Sequence, residues 1–171
     1  MDGHGRGRGE KEGPTALVDS ISHHKFTAQF VPPAVLRPLI YSSMPSSSAT
    51  TRGRLLILYG SQTGCSEEVA QRLTAEAVRR RFTPNCLSME DYDVRGLPAE
   101  NFVVFVASTT GEGEVPDGMR SFWHFLLRRD LPRGSLGALS HACFGLGDSS
   151  YPKFNFAAKR LHRRMEQLGS A

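Results

Sequence analysis

A chain of 171 residues is long enough for one domain with a sizeable core and short for two. The net charge of +4 is unevenly placed: residues 55–116 hold five basic and nine acidic side chains, and residues 117–171 hold nine and four. Neither this balance nor any basic tract calls for a nucleic-acid partner, and three odd, widely spaced cysteines (Cys65, Cys86, Cys143) argue against a disulfide framework or a zinc site.

Residues 1–53 are rich in Gly, Ser, Pro and scattered charge, show no sustained period, and are expected to be disordered. Pro32, Pro33 and Pro38 break the most apolar early stretch, so neither a signal-peptide core nor a membrane span is expected. A product initiated at Met44 is expected to bind its ligand as tightly as the whole chain does. The folded domain is placed at residues 54–171.

From Leu55 onward short apolar runs alternate with helical stretches, the pattern of a doubly wound α/β fold with a parallel sheet. Leu55–Tyr59 reads as the first strand, and a helix follows from about Ser66 to about Phe82, burying Val69, Leu73 and Ala77. A short strand near Cys86–Met89 precedes the acidic turn Glu90–Asp93. The continuous apolar run Phe102–Val106 reads as a central strand. After Pro116-Asp117 a helix turns Met119, Phe122, Trp123 and Leu126 inward. His141–Phe144 reads as the fourth strand, and Phe154–Leu168 as the last helix, with Leu161, Met165 and Leu168 buried. Lys159, Arg160, Arg163 and Arg164 fall on its solvent side.

Three loops leave the carboxyl ends of strands, the edge where open parallel sheets bind ligands. The first, Gly60 to Ser66, offers hydroxyls and the amides of a helix start to a phosphate, with no lysine or arginine. It lacks the Gly-Lys-Ser/Thr of a nucleotide triphosphatase, and Gly145-Leu146-Gly147 reaches Ser150 where a dinucleotide fingerprint needs glycine. The second loop runs from Ser108 to Glu114 and the third from Gly145 to Tyr151. Their glycines let backbone approach a ligand, and Tyr151 offers a face for stacking.

Leu-Tyr-Gly-Ser-Gln-Thr-Gly at 58–64, Ser-Thr-Thr-Gly-Glu-Gly-Glu at 108–114 and Gly-Leu-Gly-Asp-Ser-Ser-Tyr-Pro-Lys-Phe-Asn at 145–155 closely resemble the FMN-binding domain of the diflavin reductases. The likeness covers residues 55–171. Thr109-Thr110, Phe122-Trp123-His124-Phe125 and Lys159 to Arg164 are most similar to the NADPH-dependent diflavin oxidoreductases of cytosolic iron–sulfur protein assembly. The resemblance implies a flavodoxin-like sheet with its last strand missing, and FMN as cofactor. Ser61, Gln62, Thr63, Gly64, Cys65 and Ser66 would hold the phosphate, and Ser108, Thr109, Thr110 and Gly111 would line the ribityl chain and one side of the ring. Leu146, Gly147, Asp148, Ser149, Ser150, Tyr151, Pro152, Lys153, Phe154 and Asn155 would close the other side, with Tyr151 stacked.

The sequence departs from the family at Cys65, where threonine or asparagine is usual, and at Glu114-Val115. The family's final strand, its Gly-Asp-Asp loop, and the FAD/NADPH module are not found in this sequence. Neither a catalytic nucleophile nor a metal ligand is expected, because the flavin carries the electrons. The implied role is oxidoreductase electron relay in the cytoplasm, from an FAD/NADPH reductase module to an anamorsin-type iron–sulfur assembly protein. The alternatives are a self-standing flavodoxin-type shuttle and a truncated, non-catalytic α/β binding module.

Overall fold

The computed structural model describes residues 53–171 and the backbone of one earlier strand, Thr27–Val31. The expectation of disorder over residues 1–53 otherwise lies outside the described residues.

Strands β1 (Thr27–Val31), β2 (Arg54–Gly60), β3 (Thr83–Ser88), β4 (Phe102–Ser108) and β5 (Ser140–Gly147) form one sheet in the order β1-β5-β4-β2-β3. All neighbours from β5 to β3 pair in parallel, and β1 alone is antiparallel, against β5. The helices are α1 (Cys65–Arg79), α2 (Arg120–Leu126) and α3 (Phe156–Gln167). None of them is long and apolar enough to cross a membrane.

The two-residue period of the strands sorts their side chains between the two faces. Leu55, Ile57, Val106, Phe144 and Leu146 pack with Val69, Ala70 and Ala77 of α1, while Leu56, Leu58, Phe105 and Cys143 pack with α2 and α3. The aromatic stripe of α2 is core, as its spacing indicates: Met119, Phe122, Trp123 and Leu126 are all buried. Phe105 tilts against Phe122 at 5.9 Å in the middle of that layer, where truncation to alanine costs about 3–5 kcal/mol.

The element ends differ from the sequence expectation for local reasons. Helix α1 stops at Arg79, not Phe82, because Arg81 adopts φ 66° and the Phe82 amide turns back to the Ala77 carbonyl at 3.0 Å. Strand β3 starts earlier than expected, at Thr83, since Pro84 lies on the sheet's outer strand where a missing N–H is tolerated. Strand β5 runs on to Gly147, so Gly145 and Leu146 belong to the sheet rather than to the third loop. A side chain at Gly145 would meet the Cβ atoms of Ala158 and Asn155 at 3.0 Å, and glycine there lets α3 lie close on the strand. Helix α3 begins at Phe156, which leaves Phe154 and Asn155 in the loop before it.

Candidate functional site

Between β2 and β4 the chain's winding reverses, with β3 added on one side and β5 on the other. The crevice at the carboxyl ends of such a pair is where open α/β sheets take ligands. Gly60 lies opposite Ala107, and Ser108 opposite Leu146, so the three loops leave adjacent strands side by side.

The first loop enters α1 through Gly64, whose φ of 90° favours glycine. The Ser61 hydroxyl accepts from the Gly64 amide at 2.9 Å, and the Thr63 hydroxyl lies 3.7 Å from the Cys65 sulfur. Among the described residues no side chain caps the helix, so its first amides have no acceptor within the chain's own ladder. Ser66 is wholly buried in this first turn, and its hydroxyl has no hydrogen-bond partner among the described residues. Glu67 and Glu68 share the turn but are exposed, and the loop carries no positive charge. Gln62 reaches out to Asp117, donating from Nε2 to Oδ2 at 3.1 Å and accepting the Asp117 amide at 3.4 Å.

The second loop is a tight turn. Thr110 and Glu114 exchange backbone hydrogen bonds of 3.0 and 2.8 Å around Gly111 and Gly113, both at positive φ. The Ser108 hydroxyl donates to the Gly60 carbonyl at 3.4 Å, joining the stems of the first two loops. The Thr109 amide donates to the Leu146 carbonyl at 3.0 Å, and the Thr109 hydroxyl accepts the Ala157 amide at 3.3 Å, joining the second loop to the third.

In the third loop the Asp148 carboxylate accepts from the amide and hydroxyl of Ser150 at 2.8 and 2.7 Å. Pro152 and Ser149 are exposed beside Tyr151, whose ring is 63% accessible and packs into no core. Lys153 pairs with Glu112 across the gap at 3.7 Å. Phe154 lies under the Lys159 ammonium at 4.6 Å. Asn155, at φ 57°, is buried with both side-chain amide atoms unpartnered among the described residues. A Cβ at Gly147 would meet its backbone nitrogen at 2.9 Å.

A cleft of about 400 Å³ opens between the second and third loops, lined among others by Thr109, Gly111, Gly147, Asp148, Tyr151 and Phe154. The first-loop residues lie outside that cleft, at the neighbouring strand end. Leu146 is also outside it: its side chain is buried against the α1 face and only its carbonyl serves the loops. A larger hollow of about 660 Å³ lies elsewhere, at the far ends of α2 and α3, among Arg128, Arg129, Arg133 and Arg164. It contains none of the loop residues, and Arg164 there donates to the Leu126 and Arg128 carbonyls at 2.7 and 3.2 Å. Arg164 is thus a structural clamp, whereas Lys159, Arg160 and Arg163 are exposed as the spacing of α3 indicates.

One polar cluster was not legible in the sequence. His141, Cys143 and His162 bring possible ligand atoms within 4.8 Å of one another. Both His141 nitrogens are already engaged, Nδ1 with the Ser170 hydroxyl at 2.7 Å and Nε2 with His162 Nδ1 at 2.8 Å. The Ser170 hydroxyl donates onward to the Leu139 carbonyl at 2.9 Å, which makes His141 Nδ1 the donor to it and leaves Nε2 to accept from His162. Hydrogen bonding therefore accounts for the arrangement. Burial, and next the neighbouring His162, hold the His141 pKa down at about 4, and burial pushes the Cys143 thiol up.

The family profile of the flavodoxins matches residues 57–171, and the chain belongs to that family. Its fold matches a cysteine-to-alanine mutant of the flavodoxin from Pseudomonas aeruginosa, with a TM-score of 0.59 and 29% identity over 69% of this chain and 77% of that one. Oxidised flavodoxin 1 of Bacillus cereus matches with a TM-score of 0.56 at 20% identity, covering 69% and 78%. The NADPH-dependent diflavin oxidoreductase 1 of Xenopus laevis is 53% identical over 116 residues, which are 68% of this chain and 19% of the relative. That of Arabidopsis thaliana is 47% identical over 118 residues, 68% and 19%. The chain thus spans about a fifth of the length of these curated relatives.

The flavodoxin-like fold is an FMN fold, and this site fits that cofactor. An uncharged loop at a helix start, with a buried hydroxyl that has no partner among the described residues, suits a phosphate. A cleft flanked by an exposed tyrosine suits a flat ring.

Proposed function

We propose that this chain is the FMN-binding electron-transfer domain of an NADPH-dependent diflavin oxidoreductase system, relaying electrons from an FAD/NADPH module to an iron–sulfur assembly protein of the anamorsin type. The observation that carries the reading is the Ser66 hydroxyl, unpartnered among the described residues and buried at the start of α1 behind an uncharged loop. FMN supplies reversible acceptance of one or two electrons.

The residues of the chain bind and present it. Ser61, Gln62, Thr63, Gly64, Cys65 and Ser66 meet the phosphate charge with hydroxyls, amides and the helix dipole. Ser108, Thr109, Thr110 and Gly111 line the chain and ring on one side. Gly147 through Asn155 close the other, Tyr151 stacking on the ring and the Asn155 amide finding its partner there or through an ordered water. Leu146 contributes its backbone. Glu90, Asp91, Asp93, Glu112 and Glu114 are exposed near this region and favour approach by a basic partner surface. All three cysteines are free thiols, which suits a reducing compartment, the cytoplasm.

The chain loaded with FMN, mixed anaerobically with a separate FAD/NADPH reductase module and NADPH, is expected to lose its flavin absorbance, and to regain it when an oxidised anamorsin-type protein is added. Flavin that stays oxidised rejects the relay. A self-standing shuttle is the second reading, supported by the match of the fold to the flavodoxin of Pseudomonas aeruginosa at 29% identity. It requires reduction by unrelated flavoprotein reductases at the same rate.

A further inference from the structure

Strand β5 is buried from His141 to Gly147, and β4 holds one of its edges. The backbone groups of its other edge also need partners. Two segments divide that edge between them. The Ala171 amide donates to the Leu139 carbonyl at 3.0 Å and the Ala171 carbonyl accepts the His141 amide at 2.8 Å, the bonding pattern of a parallel pair centred on Ser140. Farther along, Val31 pairs with Cys143 and the chain runs back antiparallel until Thr27 stands opposite Gly147. In the sequence Pro32 and Pro33 come next, residues without an N–H to offer a ladder.

We propose that Thr27–Val31 is the strand with which the chain closes its own sheet, and that flavin binding depends on its being in place. The second half rests on the FMN reading above. The reason lies in the stem of the third loop. Leu146 turns its backbone groups to β4, opposite Ser108, while its neighbours Gly145 and Gly147 stand opposite Gln29 and Thr27 of β1. Gly147, the last residue of the stem, fits against the Asn155 backbone with no room for a Cβ, and the Leu146 carbonyl holds Thr109 of the second loop. Removing β1 frees one side of this stem to water, and the two loops that flank the cleft lose a fixed base.

The edge takes one extended segment at a time. A chain starting at Met44 lacks β1, so on this argument it binds flavin more weakly, the reverse of the sequence expectation.

The test is the whole chain carrying Ala28→Pro with Gln29→Pro. Neighbouring residues of an antiparallel strand point their N–H groups to opposite edges, so one of the two prolines removes a donor to β5 whatever the register of the ladder. Without flavin, amide exchange in Cys143–Gly147 is expected to be about 10-fold faster than in the unaltered chain. With flavin, the FMN dissociation constant is expected to rise about 10-fold. Ala28→Thr with Gln29→Thr, which keeps both donors, leaves both quantities unchanged. Unchanged exchange in the proline variant overturns the strand. Faster exchange with unchanged FMN affinity overturns the dependence. If neither chain binds FMN while exchange still accelerates, the strand stands and the flavin reading fails. Should the proline variant unfold, a synthetic peptide spanning residues 24–33 restores protection of β5 if the proposal holds, and its failure to do so overturns it.

Discussion

Gln62 and Asp117 hold each other across the candidate site by two hydrogen bonds, one from the Gln62 amide to the Asp117 carboxylate at 3.1 Å and one from the Asp117 amide to the Gln62 carbonyl at 3.4 Å. The contact ties the first loop to the segment that enters α2, 55 residues later. Both side chains are exposed, so the pair adds little to global stability and acts by fixing the loop. Gln62→Ala is expected to weaken FMN binding by roughly 1 kcal/mol, about fivefold, with an unchanged melting temperature. A fluorescence titration alongside a thermal melt checks both halves.

The buried Ser66 hydroxyl has no partner among the described residues. Its replacement by alanine removes an unsatisfied group, so the flavin-free protein keeps its stability or gains about 1 kcal/mol, while FMN affinity falls about tenfold. Thr63→Ala, in the same loop, is expected to weaken binding more than Arg163→Ala on the exposed side of α3. Equal affinities for the three variants would remove the loop from the phosphate site.

Tyr151 is exposed beside the cleft, and its ring stacks on no other ring among the described residues. Tyr151→Ala is therefore expected to leave folding intact, weaken FMN binding by about 1 kcal/mol or more, and shift the midpoint potential. Potentiometric titration of the bound flavin decides it, and an identical potential in the variant places Tyr151 away from the ring.

His141 couples stability to pH. Its pKa is about 4 in the folded chain against an ordinary value of 6.5, so the unfolded chain takes up the proton first as the pH falls. The stability His141 confers is complete above about pH 6.5, declines through the interval down to pH 4, and totals roughly 3 kcal/mol. Urea unfolding at pH 7.5 and 5 is expected to show roughly 2 kcal/mol of that decline. His141→Gln is expected to flatten this dependence while lowering stability at pH 7.5.

Much of this site was legible in the sequence because its chemistry sits in short, contiguous segments. Gly60–Ser66 and Ser108–Glu114 declare themselves by glycines and hydroxyls following apolar runs, and the sheet does bring them to adjacent strand ends. What escaped depends on contacts between distant residues. Gly145 and Leu146 read as loop because glycines punctuate chains, yet both lie in β5, where the missing side chain at Gly145 lets Asn155 and Ala158 lie against the strand. The His141–His162 pair joins a strand to a helix 21 residues on, and the tract around His162 reads as a solvated face. Thr27–Val31 shows no period of its own. Its pairing is dictated by the open edge of β5, which lies more than a hundred residues away.

The most direct measurement is titration of FMN fluorescence with the purified 171-residue chain. The structure requires the dye's emission to be quenched to saturation at one flavin per chain, with the yellow colour co-eluting with the protein on gel filtration. Emission that stays at the level of free FMN, and protein that elutes colourless after incubation with excess flavin, would contradict the assignment of these three loops to a flavin mononucleotide.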